Sequence, residues 1–240
     1  MRSHYDFSKA KKNPYAKRLG AQTVAHPATH VNADTPKSLG DPAVRLARRK
    51  QLHDAHVAPL TQYVEHLHAQ IGKMTAIPHF DPWDGGVDAE LLFLLEAPGP
   101  KAVATGFVSR NNPDETAKNF FLLNQDACIP RKRTVLWNVV PWYIGTGSRI
   151  RPANRKDLTQ GMGPLVGLLA LLPKLRAVAL VGRKAGTVRH AITDRYPHIR
   201  IFETPHPSPL FVNNRPENRG RLLGALQEVA SFLNHSRPEQ

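Results

Sequence analysis

The chain has 240 residues, 41% of them hydrophobic, and its 33 lysines and arginines outnumber 19 aspartates and glutamates to give a formal net charge of +14. That length allows one sizeable α/β domain with an extension, and a field of that sign favours polyanionic partners, nucleic acid first among them. The one cysteine, Cys128, excludes an internal disulfide and any all-cysteine zinc or iron–sulfur site, and no apolar run has the length of a membrane span. Met1-Arg-Ser-His-Tyr-Asp6 lacks the apolar stretch of a secretory signal, so a cytoplasmic location is expected.

Residues 1–42 read as a basic, flexible N-terminal extension. Pro14, Pro27, Pro36 and Pro42 punctuate it, and it holds no sustained apolar period. Residues 43–240 read as the folded domain. Basic residues recur within it, at Arg131–Arg133, Arg149–Lys156 and Arg215–Arg221, so a charged tail alone does not account for the net charge. Ala43–Gly72 is predicted helical. Leu60, Val64, Leu67 and Ile71 form one apolar stripe, and Pro59 marks a break. His53, His56, His66 and His68 do not make a metal-binding pair around a glutamate and read as solvated helix residues. Ile77–Gly86 is turn chemistry.

Leu91–Leu95 is five apolar residues in a row, the mark of a strand buried on both faces of a parallel sheet. Glu96-Ala-Pro-Gly99 ends it. A carboxylate at such a strand tip is costly to bury alone, so Glu96 should face a cleft or a hydrogen-bond network. Thr134–Pro141 repeats the pattern: an apolar strand, then Asn138, then a proline stop. Arg176–Gly182 and Arg200–Glu203 are the third and fourth strands. Helix-like segments lie between and after them, at Thr116–Ala127, Asp157–Leu172, Lys184–Thr193 and Arg219–Leu233. Cys128 reads as a small buried residue. Alternation of this kind predicts an α/β fold, a three-layer α/β/α sandwich around a central four-stranded parallel sheet.

The last strand runs into Glu203-Thr-Pro-His-Pro-Ser-Pro-Leu210, where three prolines stiffen a loop that carries His206. Ligands of parallel sheets bind beyond the carboxyl ends of the strands. Glu96–Gly99, Asn138, Gly182 and His206 all fall there.

Glu-Ala-Pro-Gly after an apolar strand, asparagine after a second and His-Pro-Ser-Pro-Leu after the last resemble the uracil-DNA glycosylase superfamily, over about residues 77–233. Glu96–Gly99 is similar to the first motif of its thermophilic-type family, and His206–Leu210 to the second motif of its archetypal family. The four cluster-binding cysteines of the thermophilic type are absent. The resemblance implies a monofunctional DNA glycosylase, working without metal or cofactor as a monomer on DNA containing uracil or a deaminated base. It implies that Asn138 reads the polar edge of a flipped uracil, that His206 hydrogen-bonds the departing base, and that Leu210 is the wedge filling the vacated stack. Ser208, Arg215 and Arg219 would contact the DNA backbone.

Two positions depart from the pattern. Ala97 stands where the archetypal family has the aspartate that positions water; Glu96, Asp114 and Glu115 are alternatives, and Asn111 or Asn112 could orient water without acting as a base. The aromatic that stacks on the base is nearest in Phe107; strict spacing points to Ser109, and Phe120 and Phe121 are further alternatives read first as core. The alanine also motivates a rival expectation: a non-catalytic or covalently trapping protein that binds uracil or lesion DNA on the same fold.

Overall fold

Leu91–Leu95 lies at the interior of a four-stranded parallel sheet and is flanked on both sides, as its unbroken apolar run requires. A computed structural model describes residues 34–72, 75–147 and 149–235; residues 1–33, most of the expected extension, lie outside the described residues. The expected long N-terminal helix is two helices, α1 (Pro42–Lys50) and α2 (Ala58–Ile71), and the break falls just before Pro59, which occupies the first turn of α2. After the two-residue strand β1 (His79–Phe80) come β2 (Leu91–Leu95), α3 (Pro100–Thr105) and β3 (Phe107–Val108), a two-residue parallel partner of β1. α4 (Glu115–Asp126) leads to β4 (Thr134–Asn138), then a small hairpin, β5 (Gly145–Thr146) and β6 (Arg149–Ile150). α5 (Arg155–Ala170) precedes β7 (Ala177–Val181). The helix expected next is split into α6 (Arg183–Gly186) and α7 (Arg189–Arg195). β8 (Arg200–Thr204), α8 (Pro209–Val212) and α9 (Pro216–His235) complete the order.

The sheet order is β4-β2-β7-β8, all parallel. Side chains alternate between the two faces along each strand, and residues in register share a face. Phe93, Leu136 and Phe202 belong to one such row. Phe93 meets Phe120 of α4 edge-on at 4.8 Å, and Phe202 meets Phe232 of α9 at 5.4 Å, so α4 and α9 cover that face. Trp137, one residue on, points the other way, towards Tyr63 of α2. One continuous apolar core joins the layers.

Side-chain caps fix the starts of α1, α4 and α5. Asp41 accepts from Ala43 N at 2.8 Å, Asp114 from Ala117 N at 2.9 Å, and Asn154 and Asp157 form a reciprocal capping box. Residues 34–42, the last part of the stretch expected to be an extension, pack on this domain: Leu39 is buried with Val44 and Phe107, and its N–H donates to Asn111 O at 3.1 Å. Cys128 is exposed, not buried as expected; it takes a left-handed φ of 56° just beyond α4, and the turn leaves its side chain on the surface.

A buried ionic cluster ties the first half together. Asp81 pairs with Arg48 and Arg131, and Asp84 with Arg131 at 2.8 Å. Burial alone pushes Asp81 up, but Arg131 and Arg48 beside it hold it down at about 2, so it stays ionised.

Candidate active site

The strand register brings the candidate residues to one level. Asn138, the last residue of β4, is paired with Leu95, and Thr204 with Val181. Glu96, Gly182 and His206 therefore emerge one or two residues beyond the same edge. There a cavity of about 500 Å³ opens, and its lining includes Glu96, Ala97, Asp114, Phe120, Asn138 and His206. That volume suits a small planar ligand held among mostly apolar walls with few polar groups.

Asn138 is 3% exposed, and its buried Nδ2 has no hydrogen-bond partner among the described residues. An orphaned buried N–H costs about 1–3 kcal/mol and is rare in folded proteins. Here the orphan belongs to a residue that lines the cavity, where a ligand oxygen would satisfy it. His206 is partly buried between Pro205 and Pro207, and among the described residues its ring makes no hydrogen bond. Burial holds the imidazole below its ordinary pKa, against the opposing fields of Glu96 and Asp114. The ring is then neutral at pH 7 and offers one N–H.

The two carboxylates differ. Glu96 accepts from the Ala153 N–H at 2.5 Å. Asp114 caps α4, and burial raises its pKa above the ordinary carboxylate value while the Ala117 and Thr116 N–H groups oppose the rise. Ala97 supplies only a methyl group. Asn112 reaches the cavity, but both ends of its amide are engaged: Oδ1 accepts from Thr105 Oγ1 at 2.7 Å and Nδ2 donates to Phe107 O at 2.9 Å. Asn111 is held by Asp34, Thr35 and Arg131, and the Ser109 hydroxyl donates to Asp81. Glu115 is exposed and paired with Lys37.

Phe107 does not reach the cavity. It lies 0% exposed against Leu39 and Val44, because β3 pairs with β1 and turns its side chain towards α1 instead of the sheet edge. The aromatic on the cavity wall is Phe120, which serves the core and the cavity at once. The apolar spacing of α4 shows its buried face but not the void beside it.

The motif after β8 forms a short helix. Ser208 caps α8, its Oγ accepting from Phe211 N at 3.3 Å. Leu210 stands on that helix at 85% exposure, the most exposed of the large hydrophobic residues described. Arg215 is exposed, and Arg219 forms a surface pair with Asp126 at 2.7 Å. Sequence reasoning gave no role to Ile150, Arg151 and Pro152, which form another wall of the cavity. They carry no apolar run or motif that would have marked them.

A family model described as "Uracil DNA glycosylase superfamily" matches residues 82–229, well over half of the chain. The chain belongs to the uracil DNA glycosylase superfamily. The matched region holds the whole cavity lining, from Leu95 to Pro207. The fold agrees: the crystal structure of Pedobacter heparinus SMUG2 is similar at TM-score 0.50, with 11% identity, 74% of this chain and 85% of that chain covered. The solution NMR structure of a provisionally named uracil DNA glycosylase from Methanosarcina acetivorans shows 19% identity at TM-score 0.42, covering 59% of this chain and 91% of that one. No curated protein matches the chain. Membership in the superfamily supports a uracil-DNA glycosylase-type function.

Proposed function

We propose that this protein hydrolyses the N-glycosidic bond of uracil, or of a related deaminated base, in DNA and leaves an abasic site. The observation that carries this reading is the unpaired, buried amide N–H of Asn138 in the same cavity as a neutral His206. An amide presents a donor and an acceptor together, which matches the adjacent carbonyl and N–H of uracil. The base must leave the duplex stack to enter, and Leu210, unusually exposed on α8, would occupy the gap.

In the reaction the bond from the sugar's anomeric carbon to the base nitrogen breaks, and its electron pair leaves with the base. His206 donates its N–H to the base oxygen on which negative charge gathers. Water then adds to the sugar carbon. Its proton passes to a carboxylate, for which Asp114 is the favoured group, and the base anion takes a proton from solvent. Ser208, Arg215 and Arg219 would meet the backbone phosphates as positioning contacts. The protein is read as acting as a monomer.

The test is a uracil-containing oligonucleotide treated with purified protein and then alkali, which breaks the strand at abasic sites. Absence of strand breaks across uracil, hypoxanthine and xanthine substrates would remove the enzyme reading. His206→Ala should lower turnover about 100- to 1000-fold, the size of a lost oxyanion donor. It should leave DNA affinity nearly intact; equal loss of both contradicts the assigned role.

A second reading rests on Ala97. Its side chain brings no polar atom to the cavity, and both carboxylates there are engaged by backbone N–H groups. A protein so built would bind or trap uracil DNA without turnover. A gel shift selective for uracil, with no abasic product, would favour it.

A further inference from the structure

Residues 150–152 separate two spaces. Ile150, Arg151 and Pro152 line the 500 Å³ cavity, and Ile150 and Arg151 also line a neighbouring groove of about 890 Å³. This wall has little structure of its own. The β5–β6 hairpin is two residues a side, and Ile150 is 42% exposed. Two anchors fix it: Arg151 pairs with Asp157 of α5 at 2.6 and 2.9 Å, and the next residue, Ala153, is 1% exposed and held through its backbone. Its N–H donates to Glu96 Oε1 at 2.5 Å, and its carbonyl accepts from Lys184 Nζ at 2.7 Å. One peptide segment is thus gripped by an anion from the tip of β2 and a cation from α6.

We propose that Glu96 is a positioning residue: with Lys184 it clamps Ala153, and so sets the wall that fits the base. The reaction's carboxylate is then not Glu96. This rests on the glycosylase reading for its kinetic test but not for its structural one. The clamp needs an acceptor at residue 96, not a charge. Glu96→Gln keeps a carbonyl oxygen there, Glu96→Ala removes it, and Lys184→Met removes the other jaw while keeping much of the aliphatic stem.

The experiment measures amide hydrogen exchange at Ala153 alongside kcat and KM over pH for these three variants. The clamp predicts Ala153 exchange about tenfold faster in Glu96→Ala and Lys184→Met, and near wild type in Glu96→Gln. It predicts kcat/KM about tenfold lower in the first two, carried mainly by KM, with the shape of the pH profile kept and Glu96→Gln within about twofold of wild type. If Glu96→Gln loses as much turnover as Glu96→Ala and an acid limb disappears, the carboxylate's charge acts in the chemistry and the proposal falls. It falls equally if Ala153 exchange does not change in either clamp variant. If the wild type shows no turnover, the glycosylase reading has failed, and the exchange data still decide the clamp. Should Glu96→Ala not fold, Lys184→Met carries the same prediction.

Discussion

Gly182 packs directly against His206: a methyl group on the glycine would sit 3.0 Å from the histidine Cβ and 3.4 Å from its Cδ2. The glycine closes β7 with φ at 83°, and its N–H donates to Thr204 O at 2.8 Å, two residues before the histidine. The imidazole is placed by what is absent across from it. Gly182→Ala adds an unfavourable left-handed φ, costing about 1–2 kcal/mol, and pushes on the His206 side chain from its Cβ to its ring. We expect a lower Tm together with at least a tenfold loss of turnover, measured by thermal unfolding and by the abasic-site assay. Unchanged turnover would mean that His206 does not depend on this contact.

Asn138→Ala should behave unlike most substitutions of buried polar residues. Removing a partnered group normally strands its neighbour, but among the described residues the Asn138 Nδ2 has no partner to strand, and it adjoins an existing cavity. Stability should therefore stay level or rise, by up to about 1 kcal/mol, while selectivity for uracil over thymine collapses. Differential scanning calorimetry beside competition cleavage checks both. A steep fall in Tm would show that the amide supports the fold instead of waiting for a ligand.

The residues at the strand ends also show what could be read beforehand. Asn138, Gly182 and His206 sit at strand ends, and strand ends are legible because the apolar runs before them stop abruptly. The parallel register then forces them together. Phe107 failed for a different reason. Its place depends on β3 pairing with the two-residue β1, and strands that short leave no period in the sequence. The split of the N-terminal helix was foreshadowed by Pro59, whereas the packing of Leu39 beneath Phe107 had no local signal. The wall at 150–152 had no signal for its second anchor, since the N–H and carbonyl of Ala153 help hold it, and neither depends on which side chain Ala153 carries.

Asp114 caps α4 and is proposed to take the proton of the attacking water, and the two roles can be separated. Asparagine caps helices as well as aspartate does, so Asp114→Asn should keep α4 and the fold, while Asp114→Ala should cost about 1 kcal/mol. If the carboxylate takes the proton of the attacking water, Asp114→Asn slows turnover. Because burial raises this pKa, the wild type should lose activity with falling pH above the range of an ordinary aspartate, a limb absent from Asp114→Asn. The stability linkage has the matching sign. The folded state binds this proton more readily than the unfolded chain, so protonation favours folding as pH drops through the raised pKa, and Asp114→Asn removes that contribution. A pH–rate profile of kcat/KM for both proteins decides it; superimposable profiles would sink the assignment.

Leu210 offers the sharpest separation of stability from function. At 85% exposure its side chain contributes little burial, so Leu210→Ala should change stability by less than about 0.5 kcal/mol. Its work would begin only when a nucleotide leaves the stack, an event that costs a few kcal/mol in a duplex and far less in a single strand. Excision from duplex DNA should therefore fall about tenfold or more, while excision from single-stranded uracil DNA stays near wild type, with Leu210→Phe restoring part of the duplex rate. The comparison needs one oligonucleotide assayed with and without its complement. Equal losses on both substrates would show that Leu210 shapes the base cavity instead of filling the stack.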